Sequence, residues 1–222
     1  PRSSAQPLTL AHAGHRCRAA ATLEQRILHG ATRMRTQVEV DPGIGMRGFE
    51  AVQSLIADYK WAIDIEICVF PQEGLISYPG TDELLVEGLK RGAKVIGGAL
   101  RYDTDEAGQI HRIFELAREF DVDIDMHLDV GPTPDAMNIH LVRELTEKYR
   151  RGGRVVVGHM AKLSLLPPSE VAALAQSLAD TGIDSTVLVF TLAISLVTGI
   201  LFGVVPAWQV STGAIMGDLS EG

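Results

Sequence analysis

Apolar, β-branched runs alternate with amphipathic segments at a steady spacing along the first 183 of 222 residues, and this punctuation leaves few architectures open. Strand-like runs read at 32–40 (TRMRTQVEV), 62–69 (AIDIEICV, with acids on alternate positions), 94–97, 122–128 and 154–158. Helical segments fall around and between them at 19–30, 46–60, 82–91, 107–120 and 135–151, and a last one starts at Pro168 and runs to about residue 179. In 46–60 the side chains of Phe49, Val52, Leu55, Ile56 and Tyr59 share one helical face, and in 107–120 Ile110, Ile113, Phe114 and Ala117 do the same. Strands separated by helices run parallel, because the return crossing takes up the helix, so a parallel sheet covered by helices is expected. A barrel and an open doubly wound sheet both satisfy this pattern.

Composition narrows the function. At 46% hydrophobic and 22% charged, the chain buries a sizeable core, which excludes general disorder and a bare coiled coil. Twenty Lys and Arg against 28 Asp and Glu give a net charge of −8, with no basic block longer than pairs such as Arg150-Arg151. That balance argues against a nucleic-acid partner and suits a neutral or cationic small-molecule substrate. Cys17 and Cys68 make no disulfide framework, and residues 1–18 hold no continuous apolar core of a secretory signal. A reducing, cytoplasmic setting is therefore expected.

No GxGxxG or GxxxxGK[ST] follows any strand, so phosphate-cradle folds gain no support. Chemistry-bearing residues stand instead at the C-terminal ends of the strands: Gln72 and Glu73 in the turn FPQEG, His127 and Asp129 in IDIDMHLDVG, and His159 in VVVGHMA. Parallel sheets and barrels build their sites there. His127 and Asp129 are two apart, so an unbroken strand points both to one face as a metal-binding or proton-transfer pair. Gln72 offers an amide, which donates and accepts at once and suits the edge of an amide-containing ring. His12, His15 and Cys17 are ill-spaced for a metal and read as an ordinary terminal segment.

TQVEVDPGIGMRGFEAV, IDIEICVFPQEGLISYPGTDELLVEGLKRGAKVIGG, FELAREFDVDIDMHLD and VVVGHMAKL together resemble consecutive units of the cytosine deaminase-like branch of the amidohydrolase superfamily, over residues 23–183. The resemblance implies an incomplete (β/α)8 TIM-type barrel. It also implies a divalent metal ion, zinc or iron, at the barrel mouth and hydrolysis of C–N bonds in small cyclic amidines or amides. By that resemblance Gln72 binds the substrate ring, His127 is a metal ligand, and His159, with Asp129 as the nearest carboxylate, serves catalysis. The sequence departs from the family where an HxH pair is missing ahead of residue 23, where Gln37 stands in place of a common histidine, and where Val130 stands in place of a glutamate. Esters or lactones on the same scaffold, or a catalytically dead membrane-attached or binding fragment, are the alternative readings.

Charge divides the chain into 1–183, a partial barrel, and 184–222, an apolar tail. Only three charged residues fall in the second part, and residues 187–205 (VLVFTLAISLVTGILFGVV) would span about 29 Å as a helix. STVLVFTLAISLVTGILFGVVPAWQVS resembles a transmembrane segment of the permease subunits of macrolide-exporter and cell-division type transporters. The tail is thus expected to form an apolar helix that caps the barrel or enters a membrane. An open barrel edge beside an apolar tail also predicts self-association.

Overall fold

The structure, a computed structural model, describes residues 10–181. Helix α1 (Leu10–Leu28) leads into five βα units: β1 (Arg33–Glu39) and α2 (Arg47–Tyr59), β2 (Asp64–Phe70) and α3 (Thr81–Lys90), β3 (Val95–Ala99) and α4 (Glu106–Phe120), β4 (Asp123–Leu128) and α5 (Ile139–Lys148), β5 (Val155–His159) and α6 (Pro168–Asp180). All four strand pairings are parallel, and the spatial order is β1-β2-β3-β4-β5. A doubly wound sheet reverses its order at a switch point. This sheet never does, and it curls into half a barrel with its helices on the convex side.

Alternation within the strands explains the two faces. Val38, Ile67, Val69, Ile96, Ile124, Val155 and Val157 point outward and merge with Phe49, Leu85, Ile110, Phe114, Val142 and Leu174 of the helices into one core. A second cluster seats α1 on α2, with Leu23 against Leu55, Ile63 and Ile65. The concave face is charged and ordered by ion pairs. Arg35 Nε donates to Glu66 Oε2 at 2.7 Å, and Arg35 Nη1 donates to Asp125 Oδ2 at 3.1 Å. Arg154 Nε donates to Asp123 Oδ1 at 2.7 Å. The acids on alternate positions of β2 and β4 line this concave face.

β3 is short and carries two glycines because it is crowded from both sides. A Cβ on Gly98 would lie 2.5 Å from Ile113 Cδ1 of α4, and one on Gly97 would lie 2.6 Å from the Asp125 carbonyl oxygen, 2.7 Å from Phe70 Cδ2 and 3.0 Å from Cys68 Sγ. The carbonyl belongs to the paired strand and cannot rotate away. Gly97→Ala is therefore expected to force β3 and β4 apart and to cost about 1–3 kcal/mol, read as a lower urea midpoint. An unchanged midpoint would contradict this packing.

The largest differences from the expected helix bounds are at two helix starts. α1 begins at Leu10, nine residues before the expected start, because LAHAGHRC continues the helical run. α5 begins at Ile139 instead of residue 135, because Pro132 and Pro134 interrupt the preceding stretch and the Asp129 carboxylate gathers the N–H groups of Asn138 and Ile139. Among the described residues no helix is long and apolar enough to cross a membrane. The apolar C-terminal helix, the boundary at 183/184 and the transporter-like segment lie outside the described residues.

Candidate active site

The C-terminal ends of β2 to β5 converge on a cleft of about 320 Å³. Gln72 enters from the turn after β2, His127 from β4 and His159 from the end of β5, while Ala99, Leu100 and Val130 form apolar walls. Arg101 and Tyr102, in the 3-10 turn after β3, close the remaining side, and neither belongs to a motif visible in the sequence. Larger open hollows lie between α1 and α2 and between α5 and α6, but no strand residue lines either of them. The smaller cleft is where four strands deliver their ends.

The two imidazoles form its chemical centre. The register pairs His127 with Gly158 and Leu128 with His159, so His159 stands one rung above its neighbour. Their ring centroids are 4.4 Å apart with planes at 84°, and Phe70 packs against the other side of His127 at 4.8 Å. Among the described residues neither ring nitrogen pair is taken up by a hydrogen bond. Burial, reinforced by His159, holds the His127 imidazolium below its usual titration range, with Asp125 pulling weakly the other way. A neutral imidazole with free nitrogens is a ligand or proton acceptor at neutral pH.

His159 owes its place to backbone that only tertiary structure reveals. Its φ is +65° and that of Met160 is +46°, and Met160 N donates both to the Gly158 carbonyl at 3.0 Å and to the Leu128 carbonyl at 3.1 Å. The bond to Gly158 closes the strained, positive-φ form of a γ-turn, which ends β5 and leaves the imidazole exposed at the rim.

Asp129 does not join this centre. The strand ends at Leu128, and Asp129 takes φ +51°, which breaks the alternation that would have aligned it with His127. Its buried carboxylate instead accepts the backbone N–H of Asn138 at 2.7 Å and of Ile139 at 3.1 Å. Burial raises its pKa, while those two N–H groups and Lys162 lower it in part. Asp129 thus anchors the start of α5 and the segment carrying Val130.

A second carboxylate, with no motif around it, organises the turn that holds Gln72. Asp103 accepts the N–H of Leu75 (2.7 Å), Ile76 (2.8 Å), Ser77 (2.9 Å) and Thr104 (2.9 Å), and the Gln109 side-chain amide donates to it at 2.8 Å. Partial burial on its own would raise its pKa, but these donors outweigh burial and hold it at about 2. The sequence shows only an acid in a βα connection, 28 residues from the turn it pins.

Among the described residues no group of three or more His, Cys, Asp or Glu is placed to hold a metal ion. His127 and His159 have the donor chemistry for two positions on a divalent cation, one short of the three protein ligands that catalytic zinc sites commonly use. The side chain of His12 lies outside the described residues, and His15 lies on α1 beside Arg18, 3.2 Å from its guanidinium.

The cleft lies where a βα-barrel opens its mouth, and the similar proteins are hydrolases. No protein-family model matches the sequence. The chain is 33% identical over 138 residues to N-isopropylammelide isopropyl amidohydrolase of Pseudomonas sp. (strain ADP), a match covering 60% of this chain and 34% of that protein. It superposes on crystalline 5-methylcytosine deaminase from Klebsiella pneumoniae, liganded with 5-fluorocytosine, at a TM-score of 0.73 and 25% identity, over 79% of this chain and 43% of that one. With N-isopropylammelide isopropylaminohydrolase from Burkholderia multivorans the TM-score is 0.66 at 26% identity, over 82% and 50% of the two chains. These relatives are deaminase-type amidohydrolases, and the chain spans about a third of the curated relative's length. None of the three is a transporter permease, so the resemblance drawn from the tail has no support among them.

Proposed function

We propose that the cleft binds a small planar nitrogen ring and hydrolyses an exocyclic C–N bond on it, the reaction of a deaminase-type amidohydrolase. The observation that carries this reading is the meeting of Gln72, His127 and His159 on one cleft at the strand ends. The Gln72 amide reads adjacent carbonyl and N–H groups on the ring edge, and Ala99, Leu100 and Val130 cover the ring faces. His159, exposed above His127, takes a proton from the attacking water as its oxygen bonds to the ring carbon. It returns that proton to the leaving amine as the C–N bond breaks. A divalent cation held through His127 would make water nucleophilic at neutral pH, while His159 keeps its free nitrogen for the proton. The similarity to proteins acting on ammelide and cytosine-type rings supports the substrate class.

A second reading, a module that binds the ring without turning it over, is favoured by one observation: the described residues bring two metal donors together and not three. One experiment separates the two. The 222-residue chain is incubated with cytosine, an N-alkylated ammelide, a simple ester and a lactone, with added zinc or iron and with chelator, while amine or acid release and binding are followed. Amine release that chelator abolishes supports the hydrolase. Ring binding at Gln72 and His127 without release supports the module, preferential ester or lactone cleavage reassigns the bond, and no binding overturns both readings.

A further inference from the structure

We infer that Arg101 selects the substrate class of the cleft, favouring a planar nitrogen ring that carries an anionic oxygen; the inference rests on reading the cleft as a ring-binding site. Arg101 is the one Lys, Arg, Asp or Glu among the described residues that line it. The chain as a whole carries a net charge of −8, and this single lining cation stands against the preference that the surface suggests.

The acids that follow it in the chain, Asp103, Asp105 and Glu106, form no ion pair with this cation, because each is held by other donors. Asp103 accepts four backbone N–H groups and the Gln109 amide. Asp105 Oδ1 accepts the Gly108 N–H at 2.8 Å and caps α4, and Glu106 accepts a hydrogen bond from the Asn138 side chain. Arg101 itself makes no hydrogen bond or ion pair with another described residue. Its backbone is nevertheless fixed: Ala99 and Leu100 are buried, and Asp103 N closes the turn on the Leu100 carbonyl at 3.0 Å. The result is a held backbone presenting an unpaired guanidinium at the edge of a cleft.

Ligand chemistry follows from the shape of that group. A guanidinium is a planar fork of donors that matches anionic oxygen acceptors in its plane, so it suits an anionic oxygen on the ring better than a neutral aminopyrimidine edge. With Arg101 after β3, Gln72 after β2 and the two imidazoles on β4 and β5, the ring is addressed from three sides. The anionic edge goes to Arg101 and the reacting carbon to the imidazoles.

Barbituric acid, an anion at neutral pH, and uracil, a neutral ring of the same size, make the test. Binding to the 222-residue chain is followed by NMR at the Gln72 side-chain amide and the His127 ring. Barbiturate is expected to bind roughly tenfold tighter than uracil at low salt, with the ratio shrinking as salt rises. Arg101→Gln should bring the ratio near one, and Arg101→Lys should keep part of the preference. Equal binding of the two rings to the unaltered chain, a salt-independent ratio, or an unchanged ratio in the glutamine variant overturns the inference and leaves ring binding standing. Silence of Gln72 and His127 with both rings overturns the ring-binding reading and the inference together.

Discussion

If the cleft carries the proposed reaction, amine release is expected to fall by roughly two to four orders of magnitude in His127→Ala, the range for removing a group at a reacting centre. The ring nitrogens of His127 make no hydrogen bond to another described residue, so the imidazole contributes little to holding the fold that another side chain would miss. Its contacts are Phe70 and His159, and the loss of those ring contacts leaves His159 without the neighbour 4.4 Å away that would hold the cation. Retention of divalent cation, measured by elemental analysis after gel filtration, is expected to fall in parallel. His140, exposed on the helix that follows, is the control: its alanine variant should keep both rate and metal content. If the two variants behave alike, the cleft at the strand ends is not where the chemistry happens.

Asp103→Ala is expected to cost both stability and ring binding without touching a reacting group. Five donors lose their acceptor at once, three of them the consecutive N–H groups of Leu75, Ile76 and Ser77. Even partly exposed, such a set makes the variant less stable by about 2 kcal/mol, and hydrogen exchange of those three amides should accelerate well beyond the global change. Ring affinity should drop with it, because Gln72 sits in the same turn. The pH dependence has a fixed sign. The folded carboxyl titrates at about 2, below its ordinary 3.8, so the folded state binds this proton more weakly than the unfolded chain does. Its contribution is whole above pH 3.8 and disappears as pH falls through about 2, and the alanine variant should lack that segment of the acid-unfolding curve. Identical acid-unfolding curves for the two proteins would falsify the anchoring role.

The residues read most reliably from the sequence were those governed by local rules. Strand positions followed from β-branched runs, and the inward acids of β2 followed from a period of two. His127 is at the rim because an unbroken strand delivers it there. Asp129 shows where such rules stop: alternation holds only while φ stays negative, and the left-handed residue after Leu128 turns the carboxylate toward α5. The γ-turn at His159 is equally silent in the sequence, since its positive-φ residue is a histidine and not a glycine. Asp103 and Arg101 could not be picked out because their roles depend on partners, or the absence of partners, brought from other βα units. The boundary of α5 shifted for the same reason, through a cap donated by a residue ten positions ahead of Ile139.

Strand order equal to chain order also shapes how the molecule can assemble in time. Every pairing joins residues only about 30 positions apart, as in Arg33 with Asp64, Cys68 with Val95, Val95 with Asp123 and Ile124 with Val155. Each strand that leaves a ribosome therefore meets a template already in place, and none has to wait for a distant segment before it can dock. The half-barrel can grow vectorially, one βα unit at a time, with the loop-closure entropy divided into small, similar instalments.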